Sequence, residues 1–220
     1  MKIGVLALQG AFREHLSALQ DCGAEAFPVR KPEQLEGIQG LVIPGGESTA
    51  IGQLMVEYGF DRSIPALAEQ GLPIYGTCAG LILLAKEIVG EASLGEAGTA
   101  GQYRLALMDI VAHRNAYGRQ RESFEADIDI AALGPEPFRG VFIRAPYIVS
   151  VQPGVEILAR QEGKIVMARQ GQYLATSFHP ELTGDRRVHR YFLEMAAANA
   201  GGPPREFDKK GLAKGGSSRL

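Results

Sequence analysis

The sequence predicts an α/β fold with a largely parallel sheet covered by helices on both faces. Three observations carry this. Short apolar runs alternate with segments of helical periodicity through the first ninety or so residues, the pattern of βα units. The apolar runs are continuous, as in strands buried on both faces. At 220 residues with 45% apolar side chains, the chain is long enough for one sizeable core and short for two full domains.

The elements follow in order. The start, Met1 to Leu8, reads as a first buried strand; it is short for a signal h-region and leads straight into Gln9-Gly10. From Ala11 to Asp21, Phe12, Leu16 and Leu19 recur at helical spacing, and Gly23 supplies a stop. Strands are expected at Ala26–Val29 and Leu41–Ile43, the second ending in the loop Pro44-Gly45-Gly46-Glu47-Ser48-Thr49. Helical stretches follow at Ala50–Tyr58 and around Pro65–Gln70. Then comes a strand after Pro73 and a buried helix over Leu81–Ile88. Glu91 to Gln102, rich in Gly, Ala, Ser and Glu, reads as a loop.

The middle third is strand-like: Ala106–Ala112, Phe124–Ile130, Gly140–Ile143, Tyr147–Val151, Val155–Arg160, Ile165–Arg169 and Tyr173–Phe178, with Glu162-Gly163 as a hairpin turn. Val188–Ala198 returns to helix. Residues 1–200 are expected to form the domain. Residues 201–220, with five basic and two acidic side chains and little to bury, read as a disordered tail.

Charge and cysteine content exclude some classes. A net charge of −2 from nearly balanced ionic residues gives no general attraction to nucleic acid or to anionic membrane. No apolar run has spanning length. Two cysteines, Cys22 and Cys78, make no disulfide framework, so a reduced, cytoplasmic chain is expected. No pair of His or Cys has ligand spacing, and neither a metal nor a cofactor is called for.

Cys78 sits in Gly76-Thr77-Cys78-Ala79-Gly80, where strand is expected to become helix. This is the G-x-C-x-G form of a nucleophile elbow. Small residues at 76 and 80 permit a sharp turn that leaves the sulfur exposed. The N–H groups and positive dipole end of the following helix suit a thiolate. A lone cysteine in an apolar segment is usually packing; the flanking glycines and threonine at a turn argue for chemistry instead.

Such a nucleophile needs a base. Of four histidines, His179 ends an apolar strand as Phe178-His179-Pro180-Glu181, and residues two apart in an extended segment point to one side. Glu181 can therefore orient the ring and stabilise its cation. His15 and His189 fall on helices and read as surface or core-edge residues; His113 is undecided. Backbone N–H groups of Ala79 and the Gly45-Gly46 loop suit an oxyanion hole. Glu47 suits an amino group, while Arg114, Arg119, Arg121 and Arg144 are alternative partners for a carboxylate. A substrate with both groups is an amino acid.

These motifs resemble the class I, triad-type glutamine amidotransferases, and most of all the branch serving two-component pyridoxal 5'-phosphate synthases. The resemblance is carried further by Leu8–His15, Ile43–Thr49, Arg114–Gln120 and Phe142–Pro146, in the expected order over about the first two hundred residues. It implies a flavodoxin-like three-layer α/β sandwich, with Cys78 as nucleophile, His179 as acid and base, and Glu181 as its partner. It also implies that Gly46, Glu47, Ser48, Arg114, Ile143 and Arg144 bind L-glutamine. A (β/α)8 barrel synthase subunit is the implied partner, docking at Gln9, Gly10, Glu14 and His15 and receiving ammonia.

Overall fold

A computed structural model describes residues 1–90, 102–114 and 123–199. The parallel half of the sheet is built from β1 (Lys2–Leu6), β2 (Glu25–Val29), β3 (Gly40–Ile43), β4 (Ile74–Thr77) and β12 (Tyr173–Thr176), in the order β2-β1-β3-β4-β12. Beyond β12 lie β11 (Lys164–Gln170), β9 (Tyr147–Val151), β6 (Met108–His113) and β5 (Ala85–Val89). The three pairings from β12 to β6 are antiparallel, and β6 with β5 is parallel again. β10 (Glu156–Gln161) pairs antiparallel with β11, through a turn in which Glu162 and Gly163 both have positive φ, as a tight hairpin requires. A separate two-stranded sheet joins β7 (Ser123–Ile128) to β8 (Phe138–Ile143).

Side-chain alternation along the parallel strands divides the core in two. Ile3, Val5, Val42 and Tyr75 point to one face, where they meet Leu19 of α1 (Phe12–Asp21) and Val188 and Phe192 of α5 (Arg187–Ala198). Leu6, Leu41, Ile43 and Ile74 point to the other. There they pack on α2 (Ser48–Glu57), α3 (Phe60–Glu69) and α4 (Ala79–Leu84) through Ile51, Met55, Ile64, Leu67 and Leu81. Each fully buried aliphatic side chain contributes about 1.5–3 kcal/mol against its exposed state. The result is the expected three-layer sandwich. Pro28, which cannot donate to a ladder, sits on edge strand β2.

Three expectations need correction. The buried helix expected over Leu81–Ile88 stops at Leu84, and Ala85 opens β5 with an extended backbone. Lys86 and Glu87 are exposed, Lys86 pairing with Asp109 at 2.5 Å, which a helix buried on all sides does not accommodate. The helical stretch placed around Pro65–Gln70 begins five residues earlier, at Phe60, and runs through Pro65. Proline frees the carbonyl four residues back, and that carbonyl, of Asp61, accepts a bond from the Tyr103 hydroxyl at 3.1 Å. His15 and His189, read as surface or core-edge, are completely buried. The loop expected at 91–102 and the tail at 201–220 lie, but for Gln102, outside the described residues. Among the described residues no helix is long and apolar enough to cross a membrane.

Candidate active site

The carboxyl ends of β3, β4 and β12 converge, as expected for ligand sites in open parallel sheets. Cys78 follows β4 with φ 50° and ψ −99°, a conformation that non-glycine residues avoid and that concentrates at functional turns. The turn is possible because two chain segments touch where side chains are missing. A Cβ on Gly76 would lie 2.5 Å from the Gly80 carbonyl carbon, and one on Gly80 would collide with the Ile43 carbonyl oxygen. The expected exposed sulfur is corrected in degree: Cys78 is 8% exposed and opens only into a cleft. Its Sγ lies 3.9 Å from the Ile143 carbonyl oxygen.

β12 pairs directly with β4, Thr176 opposite Thr77, and so carries His179 to the elbow. The His179 backbone N–H donates to Val141 O at 2.8 Å. Its Nδ1 is 2.7 Å from Glu181 Oε1, Glu181 being in the 3-10 turn Pro180–Leu182. Burial works against the protonated ring, but hydrogen bonds with Cys78 and then Glu181 outweigh it, and the His179 pKa is pushed up to about 10. Burial likewise opposes the charge on Glu181, yet the facing His15 and His179 rings hold its carboxyl below the usual range. The three side chains thus favour an imidazolium between a sulfur and a carboxylate.

The cleft beside Cys78 has a volume of about 770 Å³, ample for a small amino acid. Gly46, Glu47, Ser48, Ala79, Arg114, Ile143 and Arg144, all singled out from the sequence, line it with Cys78 and His179. Gly46 and Ala79 approach the sulfur from different elements. The Gly45–Glu47 loop is fixed from behind: Ala11 N–H donates to Gly45 O at 3.1 Å, and Glu47 N–H to Gln9 Oε1 at 2.8 Å. Gly10, at φ 99°, leaves no room for a Cβ beside the Gly45 carbonyl.

Glu47 has a local task as well. Its carboxylate caps α2, accepting from Thr49 N at 3.0 Å and Ala50 N at 2.7 Å. Burial opposes its charge, but these N–H groups and Arg114 keep its pKa below the ordinary value. Arg114 Nη2 donates to Ser48 Oγ at 2.5 Å and Thr49 Oγ1 at 3.1 Å, and lies 3.6 Å from Glu47 Oε1. Of the four candidate arginines, Arg114 and Arg144 line the cleft, Arg144 with a strained φ of 43°. Arg119 and Arg121 lie outside the described residues. His113 stacks on Tyr147, ring centroids 5.2 Å apart, and is not among the cleft residues.

The expected partner-facing segment divides. Gln9, Gly10 and Glu14 are exposed, but His15 is fully buried and its side chain cannot meet a docking partner. The reason is local: on α1, His15 shares the inward stripe with Ala18 and Leu19.

A doubly covered α/β sheet with an elbow cysteine facing a His–Glu pair has the geometry of the triad-type thiol amidohydrolases. Comparison with known proteins narrows this class. The profile of the SNO glutamine amidotransferase family matches residues 5–198, so the chain belongs to that family and is an enzyme of the glutaminase type. The pyridoxal 5'-phosphate synthase subunit PdxT of Pelotomaculum thermopropionicum is 64% identical over 194 residues, covering 88% of this chain and 94% of the relative. The PdxT subunit of Moorella thermoacetica is 56% identical over 195 residues, covering 89% and 99%. A crystal structure of a glutamine amidotransferase superposes with a TM-score of 0.81 at 52% identity, covering 89% of this chain and 98% of that one.

Proposed function

We propose that the chain hydrolyses L-glutamine to L-glutamate and ammonia as the glutaminase subunit of a two-component pyridoxal 5'-phosphate synthase, in the cytoplasm. The observation that carries this reading is His179 held at 2.7 Å by buried Glu181 and bonded to the elbow sulfur, in a cleft rimmed by Glu47 and Arg114. Kinship with PdxT subunits supports the pathway.

Cys78, as thiolate, attacks the side-chain amide carbon of glutamine. The oxygen of that amide takes up the negative charge and is held by N–H groups of Gly46 and Ala79. His179, protonated at neutral pH, gives its proton to the departing nitrogen, so that the C–N bond breaks and ammonia leaves. A γ-glutamyl thioester remains on Cys78. His179, now neutral, takes a proton from water; the hydroxide attacks the thioester carbon and the C–S bond breaks, releasing glutamate and restoring the thiolate–imidazolium pair. Glu181 keeps the ring in register and balances its charge throughout. Glu47 receives the substrate ammonium, and Arg114 or Arg144 its carboxylate.

Ammonia then passes to a (β/α)8 barrel subunit that joins it with a pentose phosphate and a triose phosphate. The exposed Gln9, Gly10 and Glu14 form the docking face. Because Gln9 and Ala11 bond directly to the Gly45–Glu47 loop, a partner pressing there acts on the oxyanion hole.

The test is glutamate release from L-glutamine by the purified chain, alone and with the synthase barrel added. A low rate that rises strongly on addition is expected. No release in either case, with both proteins folded and reduced, would sink the proposal.

A further inference from the structure

Two histidines lie behind Glu181, on the side away from His179. His15 comes from α1 and His189 from α5, and both are fully buried. His189 Nε2 is 3.1 Å from His15 Nδ1. His15 Nε2 in turn is 3.0 Å from Thr77 Oγ1 and 3.4 Å from Glu181 Oε2. Glu181 directs Oε1 at His179, whereas its buried Oε2 has no partner in hydrogen-bond geometry among the described residues. The His15 N–H is the donor at hand, and an unmet buried carboxylate oxygen is expensive.

Proton counting fixes the tautomers. A bare Nε2 on His15 would set a lone pair against the Glu181 carboxylate, so Nε2 carries the hydrogen. Nδ1 of the neutral ring is then an acceptor and takes the Nε2–H of His189. That leaves Nδ1 of His189 bare, and it is indeed without a partner. Burial is the largest influence on both rings and pushes both pKa values down, that of His189 to about 3, in keeping with two neutral imidazoles.

We propose that His15 is a positioning residue for hydrolysis: its Nε2–H, in a tautomer set by His189, steadies Glu181 Oε2 so that Oε1 stays on His179. The proposal rests on Cys78, His179 and Glu181 being the triad. Thr77, next to Cys78 in the chain, shares the same N–H, so one imidazole ties the carboxylate to the strand that bears the nucleophile. α1 thereby serves the site at both ends, through the Gly45 loop at its start and through the triad carboxylate one turn later.

The test uses the chain assembled with the synthase barrel and compares His15→Leu with His15→Gln, whose amide nitrogen reaches the Nε2 position. Loss of one bond to a buried charge predicts a kcat for His15→Leu about ten- to a hundredfold lower. KM for glutamine should stay within about twofold, and His15→Gln should recover much of the loss. Wild-type kcat in His15→Leu, or equal losses in both variants, overturns the proposal. Nitrogen-15 imidazole spectra of the wild-type complex decide the matter even where a variant fails to fold: a neutral Nε2–H His15 supports it, and an Nδ1–H ring or an imidazolium overturns it. A wild-type complex that releases no glutamate instead overturns the triad reading, and the proposal with it.

Discussion

His179 Nδ1 and Glu181 Oε1 stand 2.7 Å apart where the carboxylate residue is only 5% exposed. Burial alone would discharge the ring, yet its bonds to Cys78 and Glu181 carry its pKa to about 10. An acid so tuned stays loaded across neutral pH. The alkaline limb of kcat/KM for glutamine is therefore expected near pH 10, and in Glu181→Gln it should move down toward the ordinary histidine value. By linkage, a raised folded pKa adds stability that is full below about 6.5 and is lost as pH rises toward 10. A wild-type limb near pH 6.5 in a pH–rate series would contradict this.

Gly80→Ala tests the elbow. The added methyl group collides with the Ile43 carbonyl oxygen, which belongs to β3 and cannot yield like a side-chain tip. We expect a stability loss of about 1–3 kcal/mol in urea unfolding. Glutamate release should fall much further than folded population accounts for, since the displaced turn carries Cys78.

Acid stability reads out His189. Its folded pKa of about 3 lies below the unfolded value of about 6.5, so the unfolded chain binds the proton first. The stabilising contribution is present above pH 6.5 and is lost as pH falls toward 3, at about 1.4 kcal/mol per pH unit for one ring. His189→Leu should lose less stability than wild type between pH 7 and 4.5, as urea midpoints at the two pH values will show.

Arg114→Gln should raise KM for glutamine by about tenfold or more, with a smaller effect on kcat, because the lost contact is to bound substrate as much as to the transition state. Arg114→Lys should recover only part. Its point charge cannot meet Ser48 Oγ and a carboxylate with one planar fork. Steady-state kinetics of the assembled complex measures both.

Much of this was legible in the sequence because it is local. The elbow lies within Gly76–Gly80, and the His179–Glu181 pair follows from extended geometry over three residues. The parallel strands announce themselves as short apolar runs. What escaped depends on distant partners. Nothing near Leu84 says that Ala85–Val89 will find β6, and an apolar run of that length fits helix or strand equally. The buried histidines escaped for the same reason, since their partners are far apart in the chain. A clue was present: His15 precedes Leu19 by four residues and His189 precedes Phe192 by three, so each sits on the apolar stripe of its helix.

Because Thr77 lies opposite Thr176 on adjoining strands, everything from Ala85 to Gln172 is an excursion between two neighbours in the sheet. A growing chain that has reached Gln172 holds its nucleophile but no histidine to activate it and no carboxylate behind. Chemistry is thus the last property the polypeptide acquires, after the strand that closes the seam is made. A thiol capable of attacking amides stays idle until the fold around it is finished.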